Sequence, residues 1–365
     1  MKAFLKAHQK LHLWLLADLC LLAAFWLFRG NRALMNFLAD WVTGPVKQAL
    51  GCLCYLTDVS VMEVLYVLLV LAGIAYVVWS IAAVKRTRGR RGHRAYSAIL
   101  GALCIALAIY GGFCLLWGVN FWTDSFQDKS GIYAEPVAQE DLLAVTEYFA
   151  RQLRETADGV RRDENGVFAV PVEDILAESA AIYDQLEREM PFLEFDDPGV
   201  KPMFFSRLMS VINFTGFYCP WTGESNVNVD SPACLIPATA AHELAHQRGI
   251  ASEQECNFLA VLASTTSGQS AYAYSGWLKG YIHLGNALYQ VDPEAYWAIR
   301  DALPETVKAD LAYNSAYWAQ FQDTVVQKAA DKVYDGVLKA YGDERGIQSY
   351  GTVVDLLVAY YKDAA

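Results

Sequence analysis

Three long apolar runs occupy the first third of the chain. They cover residues 11–28, 64–84 and 96–119, and the second and third contain no charged residue. A helix needs roughly 20 apolar residues to cross the hydrocarbon core of a bilayer. The first run is shorter and contains Asp18, but no small-residue cleavage site follows it. The pattern therefore predicts three transmembrane helices, of which the first is an uncleaved anchor.

The remainder of the chain has the pattern of a folded helical domain. Apolar residues recur at helical spacing and predict helices over 136–157, 171–189, 202–212, 235–248, 253–265, 271–289, 293–302, 316–341 and 351–362. Strand signal is limited to two short runs, 213–218 and 224–229, on either side of a turn sequence. We expect a mainly helical protein, with a membrane anchor over residues 1–119 and a mostly helical domain with a small β ribbon over residues 127–365.

Charge divides the chain at the same place as hydropathy. The 365 residues carry a net charge of −11, and 55% of them are hydrophobic. Residues 1–118 sum to +8, whereas residues 119–365 sum to −19. The acidic balance of the larger part argues against nucleic acid as a partner.

The distribution of basic residues predicts the orientation in the membrane. The densest basic run, residues 85–94, links the second and third apolar runs, and short basic loops stay in the cytoplasm. The N-terminus is then also cytoplasmic, while the loop 29–62 and everything after residue 119 lie outside. We expect a multi-pass protein of the cell membrane, with the lipid bilayer as a partner and an extracytoplasmic domain.

The eight cysteines do not form a disulfide framework by their number and spacing. Three of them lie in the apolar runs, two lie in the loop between the first two runs, and Cys256 lies in an apolar helical stretch that would bury it. A bridge between Cys219 and Cys234 is possible outside the cell, where thiols can oxidise. The sequence leaves that bridge undecided.

The strongest chemical signal is the sequence HELAH at residues 242–246. Residues four apart share one face of a helix, so both imidazoles can reach a single zinc ion while Glu243 approaches the water on that ion. The pattern also arises by chance, and the alternative is a pair of surface or capping histidines. The context favours the metal, because Pro237 suits the first turn of a helix and Gly249 suits its end.

The residues after this motif supply a third ligand. Ser252 and Glu255 fit a capping box, which gives Glu255 a structural role. Glu253 is then left to turn toward the metal, and Asn257, one turn further on, is placed to hydrogen-bond a zinc-bound histidine. Glu255 itself, or a residue from elsewhere such as His283, stays an alternative third ligand.

The combined pattern resembles the gluzincin metallopeptidases, whose third ligand is the first glutamate of an E-x-x-x-D or E-x-x-x-N motif. Here Glu253 and Asn257 match that motif. The longer sequence through 218–222, 224–228 and 242–249 resembles a bacterial membrane family, domain of unknown function 3810. Its members look like three N-terminal spans joined to an extracytoplasmic zincin-like domain. The sequence departs from the common gluzincin plan in one respect. Only six residues separate His246 from Glu253, which leaves no room for an inserted subdomain between these ligands.

The function implied is that of a membrane-anchored zinc metallopeptidase acting on an unidentified peptide or protein. A Zn²⁺ ion held by His242, His246 and Glu253 would lower the pKa of a water molecule toward about 7, and Glu243 would act as general base. Two alternatives remain, a catalytically silent zinc-binding envelope sensor or scaffold and a hydrolase of cell-wall amides. A purely structural site has no use for Glu243, so the sequence favours the enzyme.

A peptidase also needs an edge strand to align its substrate and a donor for the oxyanion. The alternating run 226–229, with Asn226 and Asn228, is the candidate edge, and a purely structural strand has equal weight. Four residues are candidates for the oxyanion donor, although most tyrosines are expected to be packing residues: Tyr272, Tyr274, Tyr281 and His283.

Overall fold

The computed structural model describes residues 2–196, 198–322, 327–328, 332, 335–336 and 350–365. Over these residues the chain is mostly helical, with three long apolar helices near the N-terminus and one small three-stranded sheet. The predicted fold class is therefore confirmed. The chain divides into two compact units, the first formed by Met1–Lys47, Val61–Thr123 and Pro220–Thr222, and the second by Gln48–Ser60, Asp124–Cys219 and Gly223–Ala365.

The N-terminal region contains six helices: α1 (Lys2–Ala7), α2 (Gln9–Phe28), α3 (Arg32–Leu38), α4 (Gly44–Cys54), α5 (Val61–Arg86) and α6 (Arg91–Leu116). Helices α2, α5 and α6 are long and apolar enough to cross a membrane, in agreement with the three predicted runs. The third run was expected to stay helical to residue 119, but α6 ends at Leu116 and a short 3-10 turn, Gly118–Trp122, follows.

Within the first unit, α2 and α6 approach each other closely at a glycine. A Cβ atom at Gly111 would lie 2.9 Å from Cδ2 of Leu21. Small residues of this kind allow membrane helices to pack against each other. A small buried cluster of Phe25, Met35, Cys114 and Val119 continues this packing.

The second unit contains the remaining helices of the described chain: α7 (Phe126–Ser130), α8 (Gln139–Thr156), α9 (Val172–Glu178), α10 (Asp184–Glu189), α11 (Ser206–Val211), α12 (Ile236–Gln247), α13 (Glu253–Thr266), α14 (Ser270–Val291), α15 (Pro293–Asp301), α16 (Glu305–Ala319) and α17 (Tyr350–Tyr361). Helices α12, α13 and α14 form the centre of the hydrophobic core, and α8 and α17 cover it. The aromatic rings of Phe149 on α8 and Trp277 on α14 pack with centroids 4.9 Å apart.

Three short strands complete this unit: β1 (Val200–Pro202), β2 (Gly216–Cys219) and β3 (Glu224–Val227). Their order is β1-β3-β2, with β1 parallel and β2 antiparallel to β3. Tyr218 lies opposite Ser225, which confirms the predicted hairpin. Strand β1 was not predicted, and it makes β3 the central strand of the sheet.

The single helix predicted over residues 171–189 is wrong. Helix α9 ends at Glu178, a 3-10 turn covers Ser179–Ala181, and α10 begins at Asp184. The buried hydroxyl of Ser179 donates to the carbonyl of Leu176 (2.6 Å) and accepts the backbone N–H of Val200 (3.0 Å). The helix is interrupted because this serine also serves the first residue of β1, a contact that helical periodicity does not encode.

Two further helix boundaries differ from the prediction. The helix expected over 202–212 begins only at Ser206, because Val200–Pro202 pairs with β3 and the N–H of Met203 bonds the carbonyl of Val227. Of the helix expected over 316–341, the first four residues form the end of α16, which begins at Glu305 after Pro304, was not predicted over 305–315, and ends at Ala319. The rest of that predicted helix lies largely outside the described residues.

The eight cysteines are all free thiols in this structure. Cys219 and Cys234 are both buried, and the bridge that the sequence left open is not formed.

A buried polar network anchors α16 to the domain. The Asp310 carboxylate accepts the backbone N–H of Phe168 (2.7 Å), the guanidinium of Arg162 (2.9 Å) and the hydroxyl of Tyr274. We expect Asp310→Asn to destabilise the protein by about 2–3 kcal/mol, because an amide cannot serve three donors and leaves Arg162 without its counter-charge. The melting temperature should fall by about 4–12 °C.

The matched control for this prediction is Glu305→Gln on the same helix. Glu305 is fully exposed and pairs with Lys308 at 2.9 Å, so its loss should change the stability by at most about 0.5–1 kcal/mol. Differential scanning fluorimetry of the full-length protein in detergent measures both variants. Equal melting temperatures for Asp310→Asn and Glu305→Gln would contradict the prediction.

Candidate metal centre

Helix α12 carries the HELAH motif and is held at both ends. The backbone N–H of Ala238, in its first turn, donates to the hydroxyl of Ser275 on α14 at 3.0 Å. At the other end Gly249 adopts a positive φ of 90°, and the N–H of Ile250 returns to the carbonyl of Ala245. This left-handed glycine ends the helix as predicted. The reversal brings the chain back so that α13 begins beside the two histidines.

The three predicted ligands come together at this point. His242 Nε2 lies 3.2 Å from one carboxylate oxygen of Glu253, and His246 Nε2 lies 3.4 Å from the other. One ligand atom from each of the three residues lies within 4.8 Å of the other two. Two imidazole nitrogens from α12 and one carboxylate from α13 therefore converge on a single position.

The orientation of His246 is set by a backbone carbonyl. Its Nδ1 lies 2.8 Å from the carbonyl oxygen of Ile250. Because a carbonyl can only accept, Nδ1 carries a hydrogen, and Nε2 is directed toward Glu253. The thiol of Cys256 lies 3.3 Å from the same Nδ1.

Asn257 does not have the role that the sequence predicted for it. It is buried on α13, but no hydrogen bond joins its side chain to either imidazole. The Ile250 carbonyl orients His246 instead, because the tight turn after Gly249 places that carbonyl against the ring. Within the described part of the chain, Nδ1 of His242 is buried without a hydrogen-bond partner.

Glu255 is a structural residue, and only half of the predicted capping box is formed. The hydroxyl of Ser252 accepts the N–H of Glu255 at 3.4 Å. The Glu255 carboxylate does not return to Ser252; it accepts the backbone N–H groups of Phe126 (3.1 Å) and Gln127 (3.3 Å). This glutamate ties the start of α13 to α7 and points away from the ligand cluster.

Burial and charge set the protonation of the cluster. Burial opposes ionisation of Glu253, but the neighbouring His246 and His242 hold the pKa of its carboxyl well below the ordinary range. Burial lowers the pKa of His242. Burial also acts to lower the pKa of His246, but the neighbouring Cys256 and Glu253 raise it well above its ordinary value. A metal ion binds an ionised carboxylate and neutral imidazoles, so it would displace a proton from His246.

Glu243 lies next to the ligands and against the backbone of β2. A Cβ atom at Gly216 would come within 2.8 Å of its Cδ, and the backbone N–H of Tyr218 donates a hydrogen bond to its carboxylate. The main-chain carbonyl of Glu243 accepts the hydroxyl of Ser225 on β3 at 3.0 Å. Burial raises the pKa of Glu243 to about 8, while the charge of His246 acts in the opposite direction.

The predicted substrate edge at Asn226 and Asn228 is wrong. Strand β3 is paired on both sides, and both asparagines are fully buried. The amide of Asn228 donates to the hydroxyl of Ser210 and the carbonyl of Phe214, each at 2.9 Å. The sheet edge beside Glu243 is β2, because β1 takes the other side of β3.

Three of the four candidate oxyanion donors are packing residues. The hydroxyl of Tyr272 donates to the carbonyl of Ile175 (2.8 Å), and that of Tyr274 donates to Asp310. Tyr281 is buried. Burial and the neighbouring Tyr296 raise its pKa, while the charge of Arg300 acts in the opposite direction.

His283 and a lysine that the sequence analysis missed belong to the cluster. Burial lowers the pKa of His283 to about 3, with the charges of Lys279 and His242 acting in the same direction. Lys279 is half-buried one helical turn before His283 on α14; burial lowers its pKa, while the charges of Glu253 and Glu243 act in the opposite direction. A lysine four residues before a histidine in an otherwise apolar helix is the signal that would have indicated it.

Comparison with known proteins places the chain in a family. The family model described as "Protein of unknown function (DUF3810)" matches residues 42–358. The chain belongs to this family. The match begins after α2 and includes α5, α6 and the whole ligand cluster of this DUF3810 protein. Searches of the curated proteins and of the solved structures found no match. The family description names no activity.

Proposed function

We propose that this DUF3810 protein is a membrane-anchored zinc metallopeptidase. The observation that carries the proposal is the convergence of His242, His246 and Glu253, with Glu243 buried against the edge strand β2 and close enough to His246 and Glu253 for their charges to act on it. A structural metal site requires ligands only. A buried carboxylate beside the ligands is the additional group that hydrolysis requires.

The donor set fits a zinc ion. Two imidazole nitrogens and one carboxylate are typical of catalytic zinc sites with an open fourth position. Ligand atoms about 2.0–2.1 Å from a tetrahedral ion lie roughly 3.3 Å apart, and the two distances from the histidines to Glu253 are 3.2 and 3.4 Å. When bound, zinc would supply a Lewis acid that lowers the pKa of a water molecule at the open position.

Glu243 would move the proton in this reaction. Once ionised, its carboxylate would accept a proton from the attacking water and pass it to the leaving amine. The backbone N–H of Tyr218 holds the carboxylate in place, which limits the orientations in which it can exchange the proton. Its burial excludes competing bulk water.

Strand β2 offers an edge on which an extended peptide can align. Main-chain hydrogen bonds to a sheet edge bind a substrate backbone with little dependence on its side chains. Gly216 lies on this strand where its backbone approaches Glu243, and any larger residue there would collide with that carboxylate. The scissile bond of a peptide on this edge would lie beside the general base.

Lys279 and His283 would stabilise the oxyanion. Both lie on one face of α14, and the charge of Lys279 lowers the pKa values of His242 and His283. A fixed cation or N–H donor directed to the position of developing negative charge lowers the barrier to hydrolysis.

The orientation that the basic run at 85–94 predicts would place this chemistry outside the cell. That run lies between α5 and α6, which are candidate membrane spans. A reporter fused at the C-terminus tests the orientation directly.

Zinc analysis and hydrolysis of an unstructured protein by the purified full-length chain test the proposed activity. We expect one zinc ion per chain and release of peptides from casein. A lack of stoichiometric zinc at neutral pH would overturn the proposal. Retained zinc without any turnover, on casein or on cell-wall amides, would favour the silent sensor or scaffold.

Substitution of the third ligand should remove the metal. We expect Glu253→Ala to lower zinc affinity by at least about 100-fold, because changes in groups that only orient the ligands already cost 10–100-fold. Glu255→Gln is the matched control, since its carboxylate bonds α7 and not the ligand cluster. Competition with a chromogenic chelator measures both. Loss of zinc from Glu255→Gln with retention in Glu253→Ala would contradict the assignment.

A further inference from the structure

The segment that leads into helix α11, together with Leu208 on the helix, presents apolar side chains outward. Phe204 and Leu208 are 84% and 57% exposed, and Phe205 is also exposed, whereas Ser206 and Ser210 are buried. In a soluble domain the apolar side of a surface helix normally faces the core. The arrangement in this segment is the reverse.

Hydrogen bonds hold the helix in this orientation. The hydroxyl of Ser206 donates to the carbonyl of Met203 (2.7 Å) and accepts the N–H of Val229 (3.0 Å). The hydroxyl of Ser210 accepts the amide of Asn228 at 2.9 Å. Rotation of α11 to bury its apolar side would break these bonds, so the outward apolar side is a stable feature of the second unit.

A second exposed apolar stretch lies in the loop before α5. Leu56 is 82% exposed, and Leu53 and Val59 are each more than half exposed. These residues belong to the same unit as α11.

Lys201 joins the two stretches. Its buried ammonium donates to the carbonyls of Cys54 (2.8 Å) and Val59 (2.9 Å) and pairs with Glu224 (2.7 Å). Phe204 follows Lys201 by three residues, a distance of at most about 11 Å along the chain. Lys201 thus links the two segments that carry the six exposed residues Leu53, Leu56, Val59, Phe204, Phe205 and Leu208, and we call these six residues the apolar rim.

Chain connectivity indicates what covers this rim. Helix α5, a candidate membrane span, begins at Val61, two residues after Val59. Two residues extend over at most about 7 Å. The apolar phase closest to Val59 is thus the bilayer that α5 enters. Single exposed apolar residues are common on protein surfaces, but a set of six in one unit marks an interaction surface.

We propose that the apolar rim inserts into the lipid leaflet in which α5 begins. Phe204, Phe205 and the aliphatic side chains would enter the boundary between headgroups and acyl chains, where aromatic residues are enriched. Arg207, which is exposed and pairs with Asp230 at 3.2 Å, would then lie near the lipid phosphates. The second unit would then contact the membrane through its own surface, in addition to its covalent connection to the membrane-spanning helices.

Photocrosslinking in lipid nanodiscs tests the proposal on the full-length chain. The variants Phe204→p-benzoylphenylalanine and Leu56→p-benzoylphenylalanine place a photoreactive ring on each half of the rim. Trp297→p-benzoylphenylalanine is the control, because Trp297 is an aromatic residue of α15 that is 48% exposed. Mass spectrometry after irradiation measures lipid adducts.

We expect lipid adducts at positions 204 and 56 to exceed those at position 297 by about tenfold or more, as for side chains at the membrane interface. Equal labelling at the three positions would overturn the proposal, as would absence of adducts at 204 and 56 in variants whose melting temperatures match the unaltered chain. If one rim variant fails to fold, the comparison of lipid adducts between the other rim variant and position 297 tests the proposal.

Discussion

Glu243→Gln is expected to remove peptide hydrolysis while zinc stays bound. The substitution keeps the size of the side chain and its place against β2, but an amide cannot accept the proton of the attacking water. General base catalysis contributes about 10²–10⁴-fold to rate, and kcat/KM should fall by that factor. The ligands His242, His246 and Glu253 are unchanged, so the zinc content should remain at one per chain.

The control for this prediction makes the same chemical change at an exposed position. Glu140, in the first turn of α8, is exposed, and Glu140→Gln should leave both turnover and zinc content unchanged. Assays on casein with zinc analysis of each preparation measure the two quantities together. If Glu243→Gln kept more than a tenth of the activity at full zinc occupancy, the general base would have to be another group.

Lys201→Met should produce the largest loss of stability. The Lys201 ammonium and the Glu224 carboxylate are buried 2.7 Å apart, and removal of one partner of a buried pair costs about 3–5 kcal/mol because the other charge stays uncompensated. The same substitution also removes the bonds to the carbonyls of Cys54 and Val59. The melting temperature of the full-length protein should fall by about 6–20 °C.

Two further variants make this result specific. Lys308→Met breaks an exposed pair and should cost no more than about 1 kcal/mol. The double variant Lys201→Met with Glu224→Leu removes both charges and should recover part of the stability. A double variant less stable than Lys201→Met would show that the pair itself, and not the uncompensated charge, carries the effect.

Lys201 and Glu243 are connected through the same three-stranded sheet. Lys201 lies on β1, and β1 occupies the side of β3 that faces away from β2. Ser225 on β3 holds the backbone of Glu243, while β2 holds its carboxylate. The buried ion pair thus stabilises the sheet that positions the proposed general base.

Features that depend on neighbours along the chain were predictable. The three apolar helices follow from uninterrupted hydropathy, and the pairing of His242 with His246 follows from the four-residue period of a helix. The end of α12 at Gly249 and the start of α13 at Glu253 follow from local capping preferences. Because the third ligand comes within seven residues of the second, short-range rules were sufficient to identify the ligand cluster.

Features that depend on distant segments were not predictable. Strand β1 is only three residues long, and its parallel pairing with β3 is what turned Asn226 from a candidate edge residue into a central one. The interruption after α9 depends on a bond between Ser179 and Val200. Lys279 and the carbonyl of Ile250 join the cluster through the packing of α14 and the turn after α12, which periodicity does not report.

The sequence by itself determined the three long apolar helices, the helical class and the cluster of His242, His246 and Glu253, because each depends on spacings of a few residues. Only the tertiary structure decided which strand forms the edge beside Glu243, which group orients His246 and where the apolar rim faces. These depend on contacts between segments that lie tens of residues apart or more, or on the exact path of a turn. Their energies come from burial and hydrogen-bond satisfaction in the assembled fold, and no local pattern of residues specifies them.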